Sequence, residues 1–174
     1  MGRGASAALA GLALAAMAAA SCGGGSRPEL AAGTTLPPAW LDDSRAHAPG
    51  AGVVWVFRTA DCLSCQSIDY VVRRLNAAHG DSLRVLAIHI GDQAGRSVVD
   101  RFVTTRRVAL DGLVTISPRE FSRHFRSTAL PALLVVGGDR VEWSSAIPRG
   151  VAGLAQIDSV VRAVRSRASD GGST

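Results

Sequence analysis

Lysine is absent from the 174-residue chain: all 19 basic side chains are arginine, and against 14 acidic ones they leave a formal charge of +5. The arginines are scattered among the acids, with local clusters only around Arg101, Arg106 and Arg107 and around Arg119, Arg123 and Arg126, as on solvated helix faces. A phosphate loop, a Ser-His-Asp arrangement and a converging pair of carboxylates are all lacking, so nucleotide hydrolysis and serine or paired-carboxylate catalysis have no residues to rest on. No internal repeat occurs, which removes solenoid architectures. There is no second CxxC and no HxxxH, whereas structural zinc wants four ligands. The one long apolar run, Ala7 to Ala20, is too short and too rich in small residues for a membrane span. What remains is room for about one domain, with a hydrophobic content of 47% that suffices for a buried core.

The first 22 residues read as an export signal, with Arg3 as a minimal positive start before the Ala/Leu stretch. "AAASCGGGS" then leads small residues into Cys22 and resembles the lipobox of bacterial lipoproteins, in which that cysteine becomes the lipidated first residue. Ala19 stands where that motif usually has Leu, so cleavage near Ala20 or Ser21 without lipidation is the alternative. An exported chain with three cysteines leaves one over if two pair, and a lipidated Cys22 accounts for it. The expected home is the cell envelope, facing the periplasm on a membrane anchor, or secreted or periplasmic without one. Residues 23–49, rich in Gly, Pro, Ala and Ser, read as a flexible tether, with Trp40 and Leu41 docking back on the domain as a short strand or cap.

From residue 50 to 167 the pattern is that of one α/β domain, followed by a disordered tail over 168–174. "AGVVWVFR" and "SLRVLAIHI" are continuous apolar runs suited to strands covered on both faces. Between them Ile68, Val71, Val72 and Leu75 follow helical spacing over 63–78, and Gly80 is a candidate cap. A helix over 97–103, a strand "LVTI" and the helix "SPREFSRHF" come next. In that helix Ser117 is expected to accept from Glu120, Glu120 to reach back to Ser117, and Pro118 to take the first position. "ALPALLVV", the turn "GGD" and "RVEWSS" form a hairpin, and residues 151–164 close the chain as a helix with Leu154, Ile157, Val160, Val161 and Val164 on one side. This order implies a mainly parallel central sheet between helices, ending in an antiparallel edge.

"RTADCLSCQSIDYVV" sets Cys62 and Cys65 three residues apart where the first strand gives way to a helix. A thiolate at a helix start is stabilised by unpaired amides and the positive end of the dipole. Cys65, one turn inward on the same face, is within reach to form a disulfide with Cys62 or to attack a mixed disulfide held there.

A strand, a CxxC at the helix start and a later strand opened by Pro131 in "STALPALLVV" together resemble the thioredoxin fold over about residues 51 to 165. The segment between roughly Asp100 and Ser127 is similar to the insertion in envelope-tethered thiol-disulfide oxidoreductases such as those serving cytochrome c maturation. The resemblance implies a three-layer sandwich with a mixed sheet and a C-terminal hairpin, Cys62 as the attacking thiol, Cys65 as the resolving one, and a cis peptide before Pro131. It also implies that Leu130 and Pro131 lie across from the pair, with the Leu130 backbone binding an extended protein substrate. Implied partners are protein thiol or disulfide clients and an upstream redox protein, with no cofactor, no metal and no nucleic acid, in a monomer.

Asp61 replaces the aromatic usual before the first cysteine, Val56 replaces the buried carboxylate of thioredoxin, and Leu63 and Ser64 fill the intervening pair without a His. Asp61 opposes a thiolate at Cys62 and Arg58 offsets it, so the expected direction is reducing. Two readings stay open beside this one: a catalytically silent domain with a structural Cys62–Cys65 disulfide, and a copper-handling relative using both thiols with His89 or His124. His89, inside an apolar strand, reads as a hydrogen-bonded interior residue, while His124 reads as solvent-facing. His47 and His79 carry no assigned role. Phe121 and Phe125, between Arg119, Arg123 and Arg126, are spaced to pack on the sheet instead of stacking on bases.

Overall fold

A computed structural model describes residues 27, 29–41, 51–62, 67–126, 129–147 and 150–170. Five strands, β1 (Ala51–Arg58), β2 (Arg84–Ile90), β3 (Gly112–Ile116), β4 (Ala132–Gly137) and β5 (Arg140–Ala146), form one sheet in the order β3-β2-β1-β4-β5. The pairs β1/β2 and β2/β3 are parallel, and β1/β4 and β4/β5 antiparallel. Helices α1 (Thr59–Cys62), α2 (Ile68–His79), α3 (Gln93–Arg106), α4 (Pro118–His124) and α5 (Gly150–Asp170) connect or flank them. This is the expected α/β sandwich with a mixed sheet and a C-terminal hairpin.

Strand alternation divides the apolar side chains between two cores. Val53, Trp55, Phe57, Val85, Leu133 and Val135 face α2, α3 and α5, which contribute Val71, Val72, Leu75, Val99, Ile157 and Val161. Val54, Val56, Leu86, Ile88, Leu134 and Val136 point the other way, where among the described helices only the two-turn α4 crosses, supplying Phe121, with Phe125 just beyond it. One short helix cannot cover that face. The rest is covered by residues 30 to 41, whose Leu30, Leu36, Trp40 and Leu41 are all buried.

The tether expected over 23–49 is therefore corrected for 29–41: apolar sheet surface left open by α4 draws this stretch down. Its backbone also pairs with the start of β5, through Gly33 N–H to Val141 O (2.7 Å) and Val141 N–H to Thr34 O (2.8 Å), covering the first residues of that edge strand. Trp40 docks as expected, in a 3-10 turn over Pro38–Trp40. Residues 42–50 and the export signal, Cys22 included, lie outside the described residues.

Helix boundaries differ more than helix identities. α3 begins at Gln93, four residues before the expected start, because Asp92 caps it by accepting from Gly95 N–H (2.7 Å). α5 runs on to Asp170, so residues 168 to 170 of the expected tail are helical, with Ser169 Oγ donating back to Arg165 O and Arg167 reaching Glu142 (3.0 Å). Ser117 caps α4 as expected. The return half of that capping box does not form, because Glu120 Oε1 accepts from Trp40 Nε1 at 3.0 Å.

Gly80 ends α2 at φ +55, with open space where a Cβ would stand. Ala there meets backbone strain and no clash, so Gly80→Ala should cost about 1 to 3 kcal/mol, read as a lower denaturant midpoint at unchanged slope.

Candidate functional site

The three parallel strands β1, β2 and β3 end on the same side of the sheet, at Arg58, Ile90 and Ile116, where open α/β sheets commonly place their ligands. The chain leaves β1 there directly into α1, a single helical turn ending at Cys62. Its start is held by Asp61, whose Oδ2 accepts from the backbone N–H of Arg58 at 2.9 Å, the reach of a third-position carboxylate back to the capping residue. Asp61 is thus engaged with the backbone of the turn, and Arg58 supplies its amide to that contact while its side chain is exposed.

The antiparallel neighbour brings the second part of the site. Val56 pairs with Ala132, so one further step sets Phe57 level with Pro131 and Arg58 level with Leu130. The Leu130–Pro131 peptide is cis, as the resemblance implied, and both residues are half-buried beside the end of β1. Topology thus brings the turn ending at Cys62 and the Leu130–Pro131 peptide to one end of the sheet. Cys62 is described through its backbone alone, and Cys65 falls with residues 63–66 outside the described residues. The expected helix start at Leu63 falls there too: the described helix α2 opens at Ile68 behind Ser67. Val56, where thioredoxin has a carboxylate, is 1% exposed in an apolar surround, so no acid lies at that point of the strand.

A polar cluster that the sequence reading did not assemble lies under α1. His89 is the sole polar residue among the fully buried ones described, at 0% exposure. Its Nε2 is 2.8 Å from Thr59 Oγ1 and its Nδ1 3.3 Å from Thr115 Oγ1, and Phe57 lies against its ring with centroids 5.6 Å apart. Arg96 donates to Leu113 O (2.9 Å) and to Thr115 Oγ1 (3.4 Å), and its Nε to Asp100 (2.9 Å). Burial, reinforced by the Arg96 guanidinium, holds the His89 pKa below the usual imidazole value, with Asp92 and Asp100 pulling weakly the other way. The ring is neutral at pH 7, donating at one nitrogen and accepting at the other, which two hydroxyls can satisfy in either tautomer. The expectation of a hydrogen-bonded interior histidine holds.

His124 is exposed yet meets Trp40 edge-on, with centroids 5.4 Å apart. His79, given no role, lies between α2 and α5 with Nε2 2.8 Å from Asp158 Oδ1. Among the described residues no three His, Cys, Asp or Glu side chains converge as a metal site would require.

No protein-family model matches the chain, and no curated protein does. Solved structures do. The thioredoxin domain of a thiol-disulfide oxidoreductase from Bacteroides vulgatus superposes with a TM-score of 0.56 at 10% identity, over 76% of this chain and 99% of that one. A thiol:disulfide interchange protein of the thioredoxin family from Chlorobium tepidum gives 0.51 at 18% identity, over 80% and 96%. A secreted disulfide oxidoreductase from Mycobacterium tuberculosis gives 0.51 at 14% identity, over 70% and 87%. With a mixed sheet, a helical turn ending at Cys62 after its central strand and Pro131 just before the neighbouring one, the chain has the thioredoxin-like fold.

Proposed function

We propose that the chain is a thiol-disulfide oxidoreductase that reduces protein disulfides in the bacterial cell envelope through Cys62 and Cys65, held at a membrane by a lipid on Cys22. The observation that carries this reading is the register between β1 and β4, which sets the cis Leu130–Pro131 peptide at the strand end that leads into Cys62. An extended client strand can pair with the Leu130 backbone there while its disulfide meets the first thiol. The envelope setting rests on the export-signal pattern and agrees with the secreted character of one similar structure.

The Cys62 thiolate attacks one sulfur of a client disulfide, the client S–S bond breaks, and the departing client thiolate takes up a proton. The Cys65 thiol then loses its proton and its thiolate attacks Cys62 Sγ, releasing the second client thiol and leaving a Cys62–Cys65 disulfide. Two electrons pass from the pair to the client, and an upstream dithiol protein restores the reduced pair by the same exchange. By this reading the charges of Arg58 and Asp61, close before the first thiol in sequence, tune its acidity.

The test is a trap: Cys65→Ala, expressed in the native host, should accumulate protein adducts on Cys62 that dithiothreitol releases and that Cys62→Ser abolishes. A Cys65→Ala chain that stays monomeric and unadducted sinks the proposal in favour of a silent domain.

A further inference from the structure

Three residues around His89 are suited to the close packing of its ring and of the Thr59 hydroxyl against it. Gly91 and Gly95 are not among the glycines with positive φ, so backbone conformation does not demand them. Space does: a Cβ on Gly91 would stand 2.4 Å from His89 Cε1, and one on Gly95 would stand 2.4 Å from Thr59 Oγ1 and 3.2 Å from His89 Cε1. Thr59, the third, is the first residue of the turn that ends at Cys62, and its hydroxyl is held at 2.8 Å from the ring. The far side of the ring is fixed by Thr115 on β3, itself contacted by Arg96 from α3. His89 therefore joins β2, β3, α3 and α1 at one point directly beneath the turn.

We infer that His89 is the positioning residue for the reactive cysteine turn, locking Thr59 so that Cys62 is presented in one orientation. The inference rests on the redox reading above. His89 acts through Thr59 and the three peptide links to Cys62, as an anchor and not as a base. Its neutral state suits this task, because a neutral imidazole adds no charge beneath a thiol. The charged groups that face it, Arg96 and Asp100 of α3 and its cap Asp92, all come from that side of the ring's surround. Thr59 and Thr115 meet it from α1 and β3 with uncharged hydroxyls.

The measurement is the pH dependence of Cys62 alkylation in the full chain carrying Cys65→Ala, read by mass spectrometry of the Cys62 peptide. With His89→Phe, which keeps ring volume and removes both nitrogens, the alkylation midpoint should move toward the ~8.5 of an unconstrained thiol, by about half a unit or more, roughly threefold in thiolate at a pH below the midpoint. Thr59→Val cuts the same contact from the surface side without touching the buried ring, and should move the midpoint in the same direction. His89→Gln, which can still bond to Thr59, should recover most of the parent profile. Folded Thr59→Val and His89→Phe chains whose midpoints equal the parent's overturn the inference. Should His89→Phe fail to fold, the Thr59→Val midpoint alone decides it. The parent with both cysteines is titrated against glutathione in parallel. A parent that exchanges no disulfide overturns the redox reading, whereas an active parent with unmoved variant midpoints overturns the anchoring role alone.

Discussion

Cys62→Ser should reduce turnover of a protein disulfide such as insulin to the rate of the free reductant, a loss of three orders of magnitude or more, roughly 4 kcal/mol of transition-state stabilisation. A hydroxyl of the same shape cannot ionise at neutral pH and cannot form the mixed disulfide, so geometry is retained and chemistry is lost. Cys65→Ser should behave differently. Its first attack survives, so one client is captured per chain and turnover then stops, giving a burst of a single equivalent. Equal, partial losses in the two variants would contradict the assigned order of attack. The same two-electron couple fixes the direction: the wild-type pair should equilibrate with glutathione well below the about −120 mV of strong periplasmic oxidants. That expectation rests on Asp61. Its carboxylate accepts from the Arg58 amide at the foot of the turn and belongs to the residue next to the thiol it opposes. Asp61→Asn keeps the hydrogen bond and removes the charge, and should make the pair more oxidising. A more reducing Asp61→Asn pair would show that the charge acts the other way.

Where a signal is local, the sequence already contained it. Two continuous apolar runs became β1 and β2, the Pro118 start became α4 behind its Ser117 cap, and the Gly138–Asp139 turn became a two-residue hairpin between β4 and β5. The cis bond at Pro131 was legible only through resemblance, since nothing in "ALPALLVV" itself separates cis from trans. Three things were missed, the last two because they arise between segments distant in sequence. Asp92 is as good a cap as Ser117, but no apolar periodicity follows it closely, so the first turn of α3 passed as loop. Residues 29–41 have the composition of a linker, and what orders them is an exposed sheet face that appears only after β1, β4 and α4 are assembled. His89 could be read as interior, yet its partners Thr59 and Thr115 lie 30 and 26 residues away, and only the parallel register of β1, β2 and β3 brings them together. The two glycines at 91 and 95 were a local trace of that cluster, visible once the ring's position is known.

The second large effect concerns the strap. Trp40→Ala should lower the stability of the domain by about 3 to 5 kcal/mol, a large share of the 5 to 15 kcal/mol that holds a domain of this size. The indole is 2% exposed. It stacks on Phe121 (centroids 6.0 Å), tilts against Phe125 (5.7 Å) and receives His124 edge-on, so truncation opens a cavity bounded by three rings. Trp40→Phe separates packing from polarity: most of the ring contact survives and the Nε1 donation to Glu120 is lost, so its cost should be near 1 kcal/mol. Glu120→Gln keeps an acceptor for the indole and the fold of α4, and should be close to neutral. The ranking Ala, then Phe, then Gln, read from denaturant midpoints of the full chain, follows from a strap that is part of the core. If residues 29–41 were a tether merely resting on the sheet, Trp40→Ala would sit within about 0.5 kcal/mol of the parent, as surface changes do. That result would also return Val54, Leu134 and Val136 to solvent and leave one face of the sheet to a two-turn helix.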